Sequence, residues 1–108
     1  MKINVTGRRV EISDEIREYI EQKVQKLPRF YNRIHEIDVV LETESEQLSA
    51  EIIVRADRKH TFVARETGPD APVLIDLLVD RLERQLTKHK EKLRNHKHDG
   101  KSEIELEG

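Results

Sequence analysis

The run from Leu74 to His98 constrains this chain more than any other segment. At about 100° per residue, Ile75, Leu78, Leu82, Leu86 and Leu93 fall on one side of a helix and predict a buried stripe. A single helix cannot bury such a stripe by itself, so the rest of the chain has to supply an apolar layer for it. Arg81, Arg84, Lys88 and Lys92 form a second row, turned roughly a third of a circle from the first. A leucine-anchored helix that presents a row of cations suits a phosphate backbone.

The formal net charge of −2 hides how unevenly the charge is distributed. Residues 1–80 carry 12 basic and 16 acidic side chains, a balance of −4. Residues 81–98 carry seven basic and two acidic ones, a balance of +5, and residues 99–108 carry one Lys and four acids, a balance of −3. Local fields decide nucleic-acid binding, so a small mean charge does not exclude it. With 108 residues the chain makes one compact domain, and with 39% charged against 35% apolar residues its core is lean. Two Tyr, two Phe and no Trp leave little for stacking on bases. The lack of Cys excludes disulfides, thiolate metal sites and cysteine catalysis. No apolar run reaches the roughly 20 residues of a membrane helix. The start, Met1 to Val5, reads as a strand without a signal-peptide core, so a cytoplasmic location is expected.

Along the chain, Ile3 and Val5 alternate in a short strand from Lys2 to Thr6 that Gly7 is expected to break. Ser13 is a good N-cap, followed by Asp14 and Glu15 where the helix dipole favours acids. Ile16, Ile20, Val24 and Leu27 then predict an amphipathic helix that Pro28 ends. Ile37, Val39 and Leu41 alternate in a second strand, and Glu44 to Gln47 reads as a turn. Ala50, Ile52, Val54 and Ala56 form a third inward row, and Asp57-Arg58-Lys59 a tight hairpin. His60, Phe62 and Ala64 continue as a fourth strand until Thr67-Gly68-Pro69. Asp70 can cap the long helix and Pro72 fits its first turn. About 24 residues of helix would span about 36 Å. The order βαβββα predicts an α+β fold: a four-stranded antiparallel sheet with both helices on one face. Val40, Ile53 and Val63 are expected on the other, partly exposed face. The domain is expected to cover 1–95, with 96–108 a basic-then-acidic tail.

The pattern Ile3-Asn4-Val5-Thr6-Gly7, Val10-Glu11-Ile12-Ser13 and Ile16-Arg17-Glu18-Tyr19-Ile20 resembles the ribosome hibernation promoting factors and ribosome-associated inhibitors. The likeness resumes at Phe30-Tyr31-Asn32-Arg33-Ile34 and Asp38-Val39-Val40-Leu41, and is strongest from Ile75 to Leu93. The resemblance implies a fold similar to double-stranded RNA-binding domains and a partner, the small ribosomal subunit. Family members occupy the channel for mRNA and the A- and P-site tRNAs, which stops translation by steric occlusion. The family's basic second-helix positions correspond here to Arg81, Arg84, Lys88, Lys90 and Lys92, and those late in its first helix to Lys23, Lys26 and Arg29. Where family members commonly carry Asp-Met-Tyr at the entry to the second helix, this chain has Asp70-Ala71-Pro72. Long members add a C-terminal dimerisation domain, for which 108 residues leave no room, so a short form is expected. Short forms either promote ribosome dimers with a separate modulation factor or inactivate single ribosomes.

Other constellations are weaker. Arg33 could extend the basic surface, and Arg8, Arg9, Arg58 and Lys59 are further candidates. His89, His96 and His98 lack the carboxylate or Cys spacing of a metal site, and His89 is expected at the edge of the core. Tyr19, Phe30, Tyr31 and Phe62 suit core packing, with Tyr31 kept as a possible contact. No Ser has a His or a glycine elbow arranged around it and no Gly-rich phosphate loop occurs, so no enzyme, cofactor or small-molecule substrate is expected. The rival readings are a module for free structured RNA and a protein-interaction domain using the Val40, Ile53 and Val63 face. A remote third is an acylphosphatase-like enzyme on a similar layout.

Overall fold

The computed structural model describes residues 1–98, with the side chains of residues 58 and 94–98 left aside. Its elements are β1 (Lys2–Arg8), α1 (Asp14–Val24), β2 (Ile34–Glu44), β3 (Gln47–Ala56), β4 (Thr61–Gly68) and α2 (Ala71–His98). The four strands lie in the order β1-β2-β3-β4 in one sheet. The expected fold class and element order are the ones found. The sheet is not wholly antiparallel, however: β1 pairs with β2 in parallel, Val5 opposite Val39, while β2–β3 and β3–β4 are antiparallel. A parallel pair needs a crossover, and α1 is that crossover.

One face of the sheet carries the core. Ile37, Val39 and Leu41 of β2, Ala50, Ile52 and Val54 of β3 and Ala64 of β4 are buried against Ile20 and Val24 of α1 and Ile75, Leu78, Leu82 and Leu86 of α2. Each fully buried leucine or isoleucine contributes about 1.5–3 kcal/mol relative to exposure, so these rows hold both helices to the sheet. Leu93, expected in the same stripe, is instead 42% exposed. It has the right phase but lies about 10 Å further along the helix than Leu86, beyond the buried stripe.

Local chemistry explains the boundaries. The Ser13 hydroxyl accepts a hydrogen bond from the Ile16 amide at 3.1 Å, capping α1 as expected. Pro28 does not terminate α1, which already ends at Val24; it sits in a separate short 3-10 turn, Leu27–Arg29. Gly7 does not break β1, which continues to Arg8. A side chain at Gly7 would lie 2.5 Å from the Val10 carbonyl oxygen, so glycine is needed there because the chain folds back across it. At the end of β4 a Cβ on Gly68 would meet Leu74 at 3.1 Å, a measure of how closely α2 begins against the sheet. The α2 backbone is closed at its start by the Leu74 amide donating to the Asp70 carbonyl.

Candidate nucleic-acid interface

The strand directions set the direction of both helices. α1 runs back from the end of β1 to the start of β2, and α2 runs back along β4, which points the same way as β2. The two helices are therefore parallel neighbours, with Tyr19 and Lys23 of α1 beside Asp76 of α2. Their C-terminal ends emerge at the same pole of the molecule, where the β3–β4 turn also lies. Lys26 and Arg29 arrive there from the segment just after α1, with Arg29 in the 3-10 turn Leu27–Arg29; Arg33 and Lys59 come from the connections, and Lys88, Lys90 and Lys92 from α2. Cations at this pole also complement the negative ends of both helix dipoles. Arg8 and Arg9 lie at the opposite pole, with the Glu44–Gln47 turn and the acidic first turn of α1. That pole is the acidic one, so these two candidates do not join the basic cluster.

Not every predicted cation is equally available. Arg81 donates from Nη2 to Glu66 Oε1 at 2.6 Å and from Nη1 to the Arg65 carbonyl oxygen at 3.2 Å. The hydrogen bond from Arg81, and then its charge, hold the Glu66 carboxyl below the usual carboxylate range. Arg84 pairs with Asp80 one turn earlier at 3.0 Å. Lys23 lies 3.4 Å from Asp76, whose charge raises the ammonium pKa. The same carboxylate accepts the Tyr19 hydroxyl at 2.6 Å, and that hydrogen bond raises the phenol above its ordinary value. Lys90 falls almost opposite the Arg81–Lys88–Lys92 row on the helix, on the α1 side.

Sequence reasoning missed a strip of acids. Asp76, Asp80 and Glu83 line a shallow hollow with Lys23 and Lys26, so carboxylates of α2 run between the two basic groups. Helical spacing on α2 already placed these acids together, but only the parallel helix pair put them beside Lys23 of α1 and Lys26 just after it. A second hollow brings Phe30 next to Arg84, Thr87 and Lys88.

The aromatic and histidine residues pack under the basic pole. Tyr31 is 5% exposed and donates its hydroxyl to Asp57 Oδ1 at 2.9 Å, so it is a core residue and not a surface contact. His89 sits edge-on to Tyr31, His60 and Phe62, with ring centroids 5.1, 4.4 and 5.2 Å away. It lies at the edge of the core, as expected. Desolvation first, then the neighbouring His60, lower its pKa. Among the described residues no group of three His, Asp or Glu is gathered as a metal site requires.

Fold and pole together define a small α+β domain with two parallel helices on one sheet face and a cationic end. The chain belongs to the family described as sigma 54 modulation protein / S30EA ribosomal protein, which matches residues 3–94. The ribosome hibernation promoting factor of Escherichia coli (strain K12) is 38% identical over 96 residues, which are 89% of this chain and 100% of that protein. The protein of the same name from Azotobacter vinelandii is 35% identical over 92 residues, 85% of each chain. Among solved structures, the N-terminal domain of Thermus thermophilus Protein Y superposes with a TM-score of 0.74 at 34% identity, covering 82% of this chain and 99% of that one. A ribosomal subunit interface protein from Coxiella burnetii gives a TM-score of 0.77 at 28% identity over 84% and 99%.

Proposed function

We propose that this protein is a ribosome hibernation factor that binds the small ribosomal subunit in the mRNA–tRNA channel. It blocks translation there by occupying space, with no chemical step, and acts in the cytoplasm, where ribosomes work. Its relatives carry the name ribosome hibernation promoting factor, and one structural neighbour is called a ribosomal subunit interface protein. The observation that carries the reading is the cationic pole, where two parallel helices deliver their basic ends side by side. Arg84, Lys88 and Lys92 would neutralise rRNA phosphates from α2, with Lys90, Lys26 and Arg29 extending the contact from the α1 side. Arg81 and Lys23 add to the field while bound to partners of their own, and Arg84, whose side chain is 78% exposed, exchanges its pair with Asp80 for a phosphate. Contacts of this kind read phosphates and the shape of folded RNA, not its sequence, and they need no stacking aromatics.

The test is co-sedimentation with purified bacterial ribosomes on a sucrose gradient, beside an Arg84→Glu, Lys88→Glu, Lys92→Glu variant shown to be folded by circular dichroism. The wild type is expected with the small subunit and the variant at the top of the gradient. In the wild type the log–log salt dependence should steepen by roughly 0.7–0.9 per phosphate contact. Wild-type protein left at the top at low salt would overturn the reading. Equal affinity for free duplex RNA would replace it with a generic RNA-binding module. A variant that sediments like the wild type would shift attention to the Val40, Ile53 and Val63 sheet face.

A further inference from the structure

The sheet ends in two open edges, β1 and β4, and an open edge is a template for pairing with another chain. At both edges a helix side chain reaches over to occupy backbone carbonyls. Arg17 of α1 donates from Nη1 to the Val5 oxygen at 3.1 Å. On β4, Arg81 donates to the Arg65 oxygen at 3.2 Å and Gln85 Nε2 to the Val63 oxygen at 3.3 Å. In the antiparallel ladder Ile53 lies opposite Val63 and Glu51 opposite Arg65. The N–H and C=O of one strand residue point the same way, so Val63 and Arg65 aim both groups at the open edge. The two carbonyls taken by α2 are thus the acceptors an incoming strand would use.

The segment behind that edge needs covering. Thr61-Phe62-Val63-Ala64 is uncharged, rich in β-formers, and exposes 46% of Val63. The partner such an edge meets most readily is a second copy of the same strand, because antiparallel pairing about a two-fold axis is self-complementary. We propose that Arg81 and Gln85 guard the β4 edge against pairing with a second copy of this chain. Glu66 holds the Arg81 guanidinium in position from the same strand, 2.6 Å away. On this assignment Arg81 belongs to the fold's own edge, and the phosphate contacts fall to Arg84, Lys88 and Lys92. Edge-to-edge pairing needs no ribosome and is measured without one.

The experiment compares wild type, Arg81→Ala with Gln85→Ala, and the same double variant with Val63→Pro, by light scattering behind size exclusion at rising concentration. Proline at Val63 removes an outward-facing N–H without touching the ladder to β3. The wild type is expected to run at its 12.7 kDa monomer mass at every concentration. The double variant is expected to approach twice that mass at high micromolar concentration, and the added proline to return it to monomer. Amide exchange in the double variant should slow at Val63 and Arg65 as it associates. Replacing Arg84 and Lys88 with Ala should leave the monomer unchanged, which separates lost edge cover from lost charge. A double variant that stays monomeric, or that associates without protecting Val63 and Arg65, would overturn the assignment.

Discussion

Gly7 shows how one missing side chain can decide a local path. Its position 2.5 Å from the Val10 oxygen, with Ile12 also in contact, leaves no room for a methyl group. Gly7→Ala should therefore cost about 1–3 kcal/mol by overpacking, measured as a lower urea midpoint at unchanged slope. From the sequence Gly7 read as a strand breaker, because glycine is poor in strands; the close approach that requires it is a tertiary contact. His89 carries a pH dependence. Desolvation, His60 and Lys92 disfavour its charged form, Asp57 favours it, and Tyr31 and Phe62 close the site with apolar rings. With the folded pKa below the unfolded value of about 6.5, the unfolded chain binds the extra proton. The contribution of His89 is full above about pH 6.5 and is lost as the pH falls through the lowered folded value. Urea titrations from about pH 8 down to about pH 5 should show this loss in the wild type and a smaller one in His89→Phe. Equal slopes in the two proteins would remove His89 as the cause.

Helix positions of the same phase have different worth once the element is seen against its neighbours. Leu82 is fully buried, whereas Leu93, on the same predicted stripe, is 42% exposed. Leu82→Ala should cost about 2–5 kcal/mol, and Leu93→Ala no more than about 0.5 kcal/mol, in parallel denaturant melts. A comparable loss at both positions would mean that the end of α2 is buried by something outside this domain. The start of α1 was legible, because an N-cap is a local exchange between Ser13 and the Ile16 amide. The inward rows of β2 and β3 were legible for a similar reason: alternation with period two survives in any sheet that buries one face. The parallel pairing of β1 had a signal that alternation alone does not carry: the helix between β1 and β2 is the crossover that a parallel pair needs.

At the scale of the molecule, the two basic groups are near each other and yet divided. Asp80 and Glu83 stand between Lys23 and Lys26 on one side and Arg84 and Lys88 on the other. Asp80→Asn with Glu83→Gln should free Arg84 from its pair and join the groups. Affinity for the small subunit at about 0.1 M salt is then expected to rise roughly two- to fivefold, and the gain to shrink as salt is added. Affinity unchanged or weakened would place the RNA contact away from this groove. The reach of the sequence follows from what each feature depends on. Periodicity, caps and charge runs act over a few residues, so the chain by itself determined the α+β class, the element order, the core rows and the basic character of the last helix. The Arg84–Asp80 pair lies one helical turn apart and was legible in the chain, but which cations share a pole, which are tied to Glu66 or Asp76, and which guard an edge depend on contacts between residues 15 or more positions apart. Those were decided by the tertiary structure, because only strand direction and helix packing bring such residues within hydrogen-bonding distance.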